Sequence, residues 1–151
     1  MIKRVLFSSA VLLGAAAIGC GGGGGSGSNL PLQPQIITDR DTIVDQAIYA
    51  NQQKNQNLGV ENGGQQDLVV SGYTLAGDPA VALVNTTLAQ ADGTSSNTVK
   101  SGKTAFIVMT CKPTTVGQTV SANLTINSNA ANKPSKVVPV SCGPAVAPPT
   151  P

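Results

Sequence analysis

Residues 119–127 read TVSANLTIN, with apolar Val120, Ala122, Leu124 and Ile126 separated by Ser121, Asn123 and Thr125. A period of two puts one set on each face of an extended chain, so this stretch predicts a half-buried strand. Residues 103–111 place Ala105, Ile107, Met109 and Cys111 on one face, with Phe106 and Val108 on the other. In residues 135–142, Val138, Val140 and Cys142 share a face. Further short β-type runs at 54–61, 67–76 and 80–88 are punctuated by Asn62-Gly63-Gly64, Gly77-Asp78-Pro79 and the polar loop 91–97. Residues 98–100, Ser101-Gly102 and 103–111 read as strand, turn and strand, a hairpin with Lys100 and Lys103 at its solvated end. Residues 112–117 and 128–134 are loops. Residues 36–50 read as one or two strands, with a short helix from Asp41 as the alternative; Ile, Thr, Val and Tyr favour strands. Pro31 and Pro34 make 29–35 an extended lead-in, and 143–151 is a Pro-rich tail expected to fray. Seven or eight short strands at this spacing predict an all-β, antiparallel sandwich.

Composition narrows this picture. The 151 residues allow one domain with appendages. Only 11% are charged and 3% aromatic, with no His and no Trp. Lys3 and Arg4 lie in a segment expected to be removed. Beyond residue 19, seven basic residues face seven acidic ones, so the remainder is neutral and electrostatics give no reason to expect a nucleic-acid partner.

The first residues carry an address. Met1 to Arg4 is a short positive region, and residues 5–18 are apolar or small throughout. That length fits a secretory segment and falls short of a membrane-spanning helix. Ala17-Ile18-Gly19 then leads into Cys20. The arrangement resembles a bacterial lipobox, which implies diacylglycerol on the Cys20 thiol and cleavage before it. The plain alternative is a secreted chain with Cys20 as a stray thiol or disulfide partner. Residues 21–28, GGGGGSGS, then read as a flexible tether with a reach of about 15 Å. Gly21 stands where many bacteria place an Asp to retain a lipoprotein at the inner membrane. By that resemblance the outer membrane is favoured, on its periplasmic or surface face.

With Cys20 acylated, Cys111 and Cys142 remain. The oxidising envelope favours their joining, and both fall on inward faces of their strands. Two free buried thiols are the alternative.

Residues 99–143 resemble the end of bacterial immunoglobulin-like domains of the choice-of-anchor D and abnormal-spindle/hydin (ASH) type. The matching features are Ser101-Gly102, Pro113, Gly117, Leu124, Ile126, Ser128-Asn129 and Gly143. Upstream, NLGVENGGQQDLVVSGYTLAG (57–77) resembles the strand, Asn-x-Gly turn, strand unit of that family. The chain departs where the family often has Phe before x-Pro and this sequence has Cys111, so a disulfide would replace an aromatic plug. The resemblance implies a scaffolding or protein-interaction module.

Candidate chemistry is sparse. Without His there is no Ser-His-Asp or Cys-His catalysis and no His-metal site. The glycine run is not set between a strand and a helix, so it makes no phosphate cradle. Asp39, Asp41 and Asp45 form the one carboxylate cluster. Their oxygens suit Ca²⁺, although the EF-hand pattern is missing. Asn85-Thr86-Thr87 and Asn123-Leu124-Thr125 match the glycosylation acceptor, which carries little meaning in a bacterial chain.

The reading is therefore a signal peptide (1–19), a lipidated Cys20 with its tether (20–35), an immunoglobulin-like sandwich (36–143) and a tail (144–151). The expected function is a non-catalytic, lipid-anchored envelope protein with a structural, adhesive or protein-interaction role. It needs no cofactor, and its partners are the membrane and another envelope protein. The alternative is a calcium- or small-ligand-binding module.

Overall fold

A computed structural model of the chain describes residues 30–46 and 48–149. Among these residues there are ten strands and no helix: β1 (Ile36–Thr38), β2 (Ile43–Asp45), β3 (Lys54–Asn62), β4 (Leu68–Gly77), β5 (Val81–Leu83), β6 (Ala89–Gln90), β7 (Thr98–Val99), β8 (Thr104–Cys111), β9 (Val120–Ser128) and β10 (Ser135–Cys142). One sheet runs β1-β3-β8-β5, with β6 also on β8; the other runs β2-β10-β9-β4-β7. The strand count exceeds the seven or eight expected because residues 36–50 supply two strands and β6 is a two-residue pairing outside the expected runs.

The alternation seen in the sequence becomes the core. Leu58, Val60, Ile107 and Met109 of the first sheet face Leu124, Ile126, Val138 and Val140 of the second, all essentially fully buried. Removing this apolar surface from water is the main stabilising term of such a sandwich. The segment 36–50 forms two strands, and they belong to different sheets. β1 pairs antiparallel with β3, while β2 crosses over and pairs parallel with β10. Ile36 and Ile43 are both buried, so the polar residues 39–42 carry the chain across between two core anchors. This parallel pair of strands departs from the expected all-antiparallel arrangement, and the isolated Tyr49–Val146 bridge is parallel as well.

The expected hairpin across Ser101-Gly102 does not form. β7 pairs with Leu68 and Val69 of the second sheet, whereas β8 lies in the first between β3 and the short strands β5 and β6. Both sides of β8 are already taken, and buried Val99 docks against β4, so residues 100–103 bridge the sheets. Lys100 is held at this bridge by Asp67 at 2.6 Å.

Both ends of the described region pack further than their composition suggests. In the lead-in, Gln65 N–H donates to Pro31 C=O (2.8 Å) and Ala131 N–H to Pro34 C=O (2.9 Å). At the other end, Val146 N–H donates to Ile48 C=O (2.8 Å) and Ala50 N–H to Val146 C=O (2.9 Å), with Ala145 buried. Gly77 ends β4 at φ +149°, and a Cβ there would lie 2.5 Å from Ser121 O, so only glycine permits this close passage beside β9.

Candidate functional site

Two links join the sheets side by side at one pole. Cys111 and Cys142 are disulfide-bonded, with Cα atoms 6.3 Å apart, in the ordinary range for such a bridge. Lys54 is the strand partner of Cys111, and Asp45 is the strand partner of Cys142. Lys54 Nζ donates to Asp45 Oδ1 at 2.8 Å, and Gln56 Nε2 donates to Asp45 Oδ2. A covalent bridge and an ionic one therefore cross the same gap in adjacent strands. The Asp45 side chain is 10% exposed and its Lys54 partner 48%, so the pair is half-screened by water.

The three aspartates singled out in the sequence are not brought to one centre. Asp39 Oδ1 accepts the Gly59 N–H at 3.1 Å and its other oxygen contacts Arg40. Asp41 accepts from Lys136 Nζ at 2.8 Å. The Lys136 hydrogen bond, and then its positive charge, hold the Asp41 carboxyl below its ordinary value of 3.8. Asp45 faces Lys54 across the opposite pole. Among the described residues no group of three or more His, Cys, Asp or Glu is placed to hold a metal ion. Lys136 occupies an inward-facing position of β10, and its ammonium reaches the surface to meet Asp41.

The asparagines carry a role that the sequence pattern did not reveal. Asn132 accepts from Ile36 N–H and donates to Ile36 C=O, both at 2.9 Å, doing for the open side of β1 what a neighbouring strand would do. Asn85 accepts from Val108 N–H (2.9 Å) and donates to Phe106 C=O (3.3 Å), filling the gap along β8 between β5 and β6. Asn129 accepts from Val69 N–H and donates to Asp67 C=O. Asn62 is fully buried; its amide donates to Gln66 C=O and Val99 C=O and accepts from Gly64 N–H. The amide of Asn85 is engaged in these bonds, so its acceptor motif serves the fold. A side-chain amide offers the donor–acceptor pair of a peptide group, which is why Asn substitutes for a strand. The signal available in the sequence was asparagine abundance; its pairing is long-range and left no local pattern.

The outer face of the second sheet is free of charge. Its solvent-facing positions include Val44, Val137, Pro139, Asn123, Thr125 and Thr74, and none of the others is ionisable. A shallow groove of about 230 Å³ runs across it, lined in part by Ala76, Gly77, Ser121, Asn123, Pro139 and Ser141. Pro139 is tolerated because Ser128 N–H donates to Pro134 C=O, which fixes the register. Residues 136, 138 and 140 bond to β9, and Pro139 turns its missing N–H toward the sheet edge. Two larger open hollows lie elsewhere. One of about 500 Å³ is flanked by Asp78, Thr110 and Lys112, and one of about 600 Å³ by Phe106, Lys100 and Lys103.

Two sheets packed face to face, with an N-terminal segment that starts on one sheet and continues on the other, define an immunoglobulin-like β-sandwich. Solved structures share it. The seventh PapD-like domain of human CEP192, an ASH/PapD-like domain, superposes with a TM-score of 0.51 at 10% identity, covering 90% of this chain and 100% of that domain. A protein of unknown function from Porphyromonas gingivalis W83 superposes with a TM-score of 0.57 at 13% identity, covering 77% of this chain. The match takes in 49% of that longer protein, so this chain corresponds to about half of it. At these identities the likeness establishes the fold. The sequence matches no protein-family model and no curated protein. Cys20, the expected signal peptide and the expected glycine tether lie outside the described residues. Among the described residues no helix is long and apolar enough to cross a membrane.

Proposed function

We propose that this chain is a non-catalytic protein-interaction module of the bacterial cell envelope. It is held at the outer membrane by lipid on Cys20 and presents the outer face of its second sheet to another envelope protein. The observation that carries the interaction role is that face: broad, uncharged and grooved in a chain whose charged residues lie elsewhere. Interface centres are depleted of charge in the same way. The anchor rests on the run from Met1 to Cys20 and on the tether, which lets a domain turn toward a partner while staying at the membrane.

The test uses the full chain expressed in a bacterium, cross-linked in its membrane fraction and recovered with its neighbours. Asn123→Arg places a charge in the middle of the face at an exposed position, so the fold is expected to persist. The expected result is a discrete partner captured by the wild type and lost, by tenfold or more, with Asn123→Arg. Equal capture by both would remove this face from the reading. The anchor is tested separately by intact mass: loss of residues 1–19 with acyl mass on Cys20 supports it, and a soluble unacylated product overturns it.

A further inference from the structure

The lead-in to β1 holds apolar side chains out on a fixed loop. Gln65 N–H donates to Pro31 C=O (2.8 Å), its side-chain amide donates to Leu30 C=O (2.7 Å), and Gln66 N–H donates to Leu32 C=O (3.2 Å). The backbone of 30–32 is thus stitched to the turn between β3 and β4. The Leu side chains take no part in the stitching. Leu30 is 38% exposed and Leu32 72%, the highest value of any large apolar side chain among the described residues. A single exposed Leu is ordinary on a protein surface. Here two are fixed on one loop, at the point where the chain enters the sandwich.

That point lies close to the anchor proposed above. Cys20 stands ten residues before Leu30. Ten residues span at most about 35 Å when fully extended, so acyl chains on Cys20 keep Leu30 within that distance of the bilayer. The long strands run from this pole to the disulfide pole, and nine-residue β9 alone is about 30 Å long. The Leu30–Leu32 end therefore meets the membrane first. No charge opposes the contact along the approach, because residues 21–38 contain no Asp, Glu, Lys or Arg. Around the same pole Lys100 is paired with Asp67, and Lys103 and Lys133 offset Glu61 and Asp92.

We infer that this pole rests on the phospholipid bilayer, with Leu30 and Leu32 buried at the boundary between headgroups and acyl chains. The inference rests on the lipid anchor at Cys20. Two leucines alone would hold a free protein weakly. The anchor makes their contact intramolecular, at an effective concentration in the millimolar range for a short linker, so a weak preference becomes a standing one. Docking also gives the outer face of the second sheet a direction. With this pole down, the strands stand upright and that face looks sideways along the membrane. The tilt is fixed and rotation about the bilayer normal is free, so the face meets a partner held in the same membrane.

The test uses the full chain purified from bacterial membranes and reconstituted into vesicles of phosphatidylethanolamine and phosphatidylglycerol. With Cys20 acylated and Cys111–Cys142 bridged, Gln33→Cys supplies one reactive thiol at an exposed position beside Leu32. It carries a nitrobenzoxadiazole probe, and Val116→Cys carries the same probe on an exposed loop at the opposite pole. The expected result is a blue-shifted Gln33 probe that is several times less quenched by iodide than the Val116 probe. Adding Leu30→Ser and Leu32→Ser, both at exposed positions, should raise its quenching to the Val116 level. Equal quenching at the two poles would overturn the inference, and so would protection that survives the serines, since the protein itself would then be the shield. Intact mass of the same sample separates the two readings. Acyl mass with an unprotected Gln33 probe removes the docking and leaves the anchor standing; absence of acyl mass removes both.

Discussion

Asn62 sits fully buried where β3 turns toward β4, and its amide ties together the turn at Gly64, the carbonyl of Gln66 and the carbonyl of Val99. Its removal strands the buried Gly64 N–H and Val99 C=O, which have no water to turn to. Asn62→Ala is therefore expected to cost about 2–3 kcal/mol, read as a lower denaturant midpoint. Asn62-Gly63-Gly64 was legible as a turn from three letters, whereas the Asn62–Val99 bond spans 37 residues and left no local trace. Asp41 gives a pH-dependent counterpart. Its folded pKa lies below 3.8 because of Lys136, so the stabilisation is present above that value and is lost as pH falls through the folded pKa. Urea midpoints of wild type and Asp41→Asn should differ at pH 5 and converge as the pH approaches 2. A constant difference would assign the effect to something other than the carboxylate.

Among the strands, those with strict alternation were legible and the switched ones were not. Val120 to Ile126 reads the same in sequence and structure because alternation is a local consequence of the pleat. The sequence of β2, Ile-Val-Asp, is too short to alternate, and its place beside β10 is set by packing of Ile43 rather than by any local signal. That dependence is testable. Ile43 is fully buried, so Ile43→Ala should destabilise by about 2–5 kcal/mol. It should also release β2, seen as faster amide exchange at Ser141 and Gly143 on the paired side of the β2–β10 junction. Ordinary exchange there would mean that β2 is held by the Asp45 contacts instead. The hairpin expected at Ser101-Gly102 failed for the same reason: a turn signal says where the chain reverses, not which sheet receives it.

The molecule as a whole is pinned at one pole by Cys111–Cys142 and Lys54–Asp45, in adjacent strands of both sheets. The bridge closes a loop whose ends are 31 residues apart. Replacing both cysteines with Ala is expected to cost about 3–4 kcal/mol by the chain-entropy relation. The same loss should appear in the wild type under reducing conditions and be absent in the double variant. The inward placement of both cysteines was readable from alternation alone. Their alignment beside Asp45 and Lys54 was not, because it needs the crossing of β2. The outer-face candidate was equally hidden, since it is assembled from β2, β4, β9 and β10 across almost a hundred residues.

The parallel pairing of β2 with β10 also has a mechanical meaning. The chain enters the sandwich at the pole of Asn62 and Gln65 and leaves past Cys142 and Val146 at the opposite pole. Tension between the entering and leaving segments draws β2 toward one pole and β10 toward the other. Their hydrogen bonds are then loaded in shear and must yield together rather than unzip one by one. Beyond them the disulfide stands as a stop, so a pull along the chain extends the domain only in part before it meets a covalent bond.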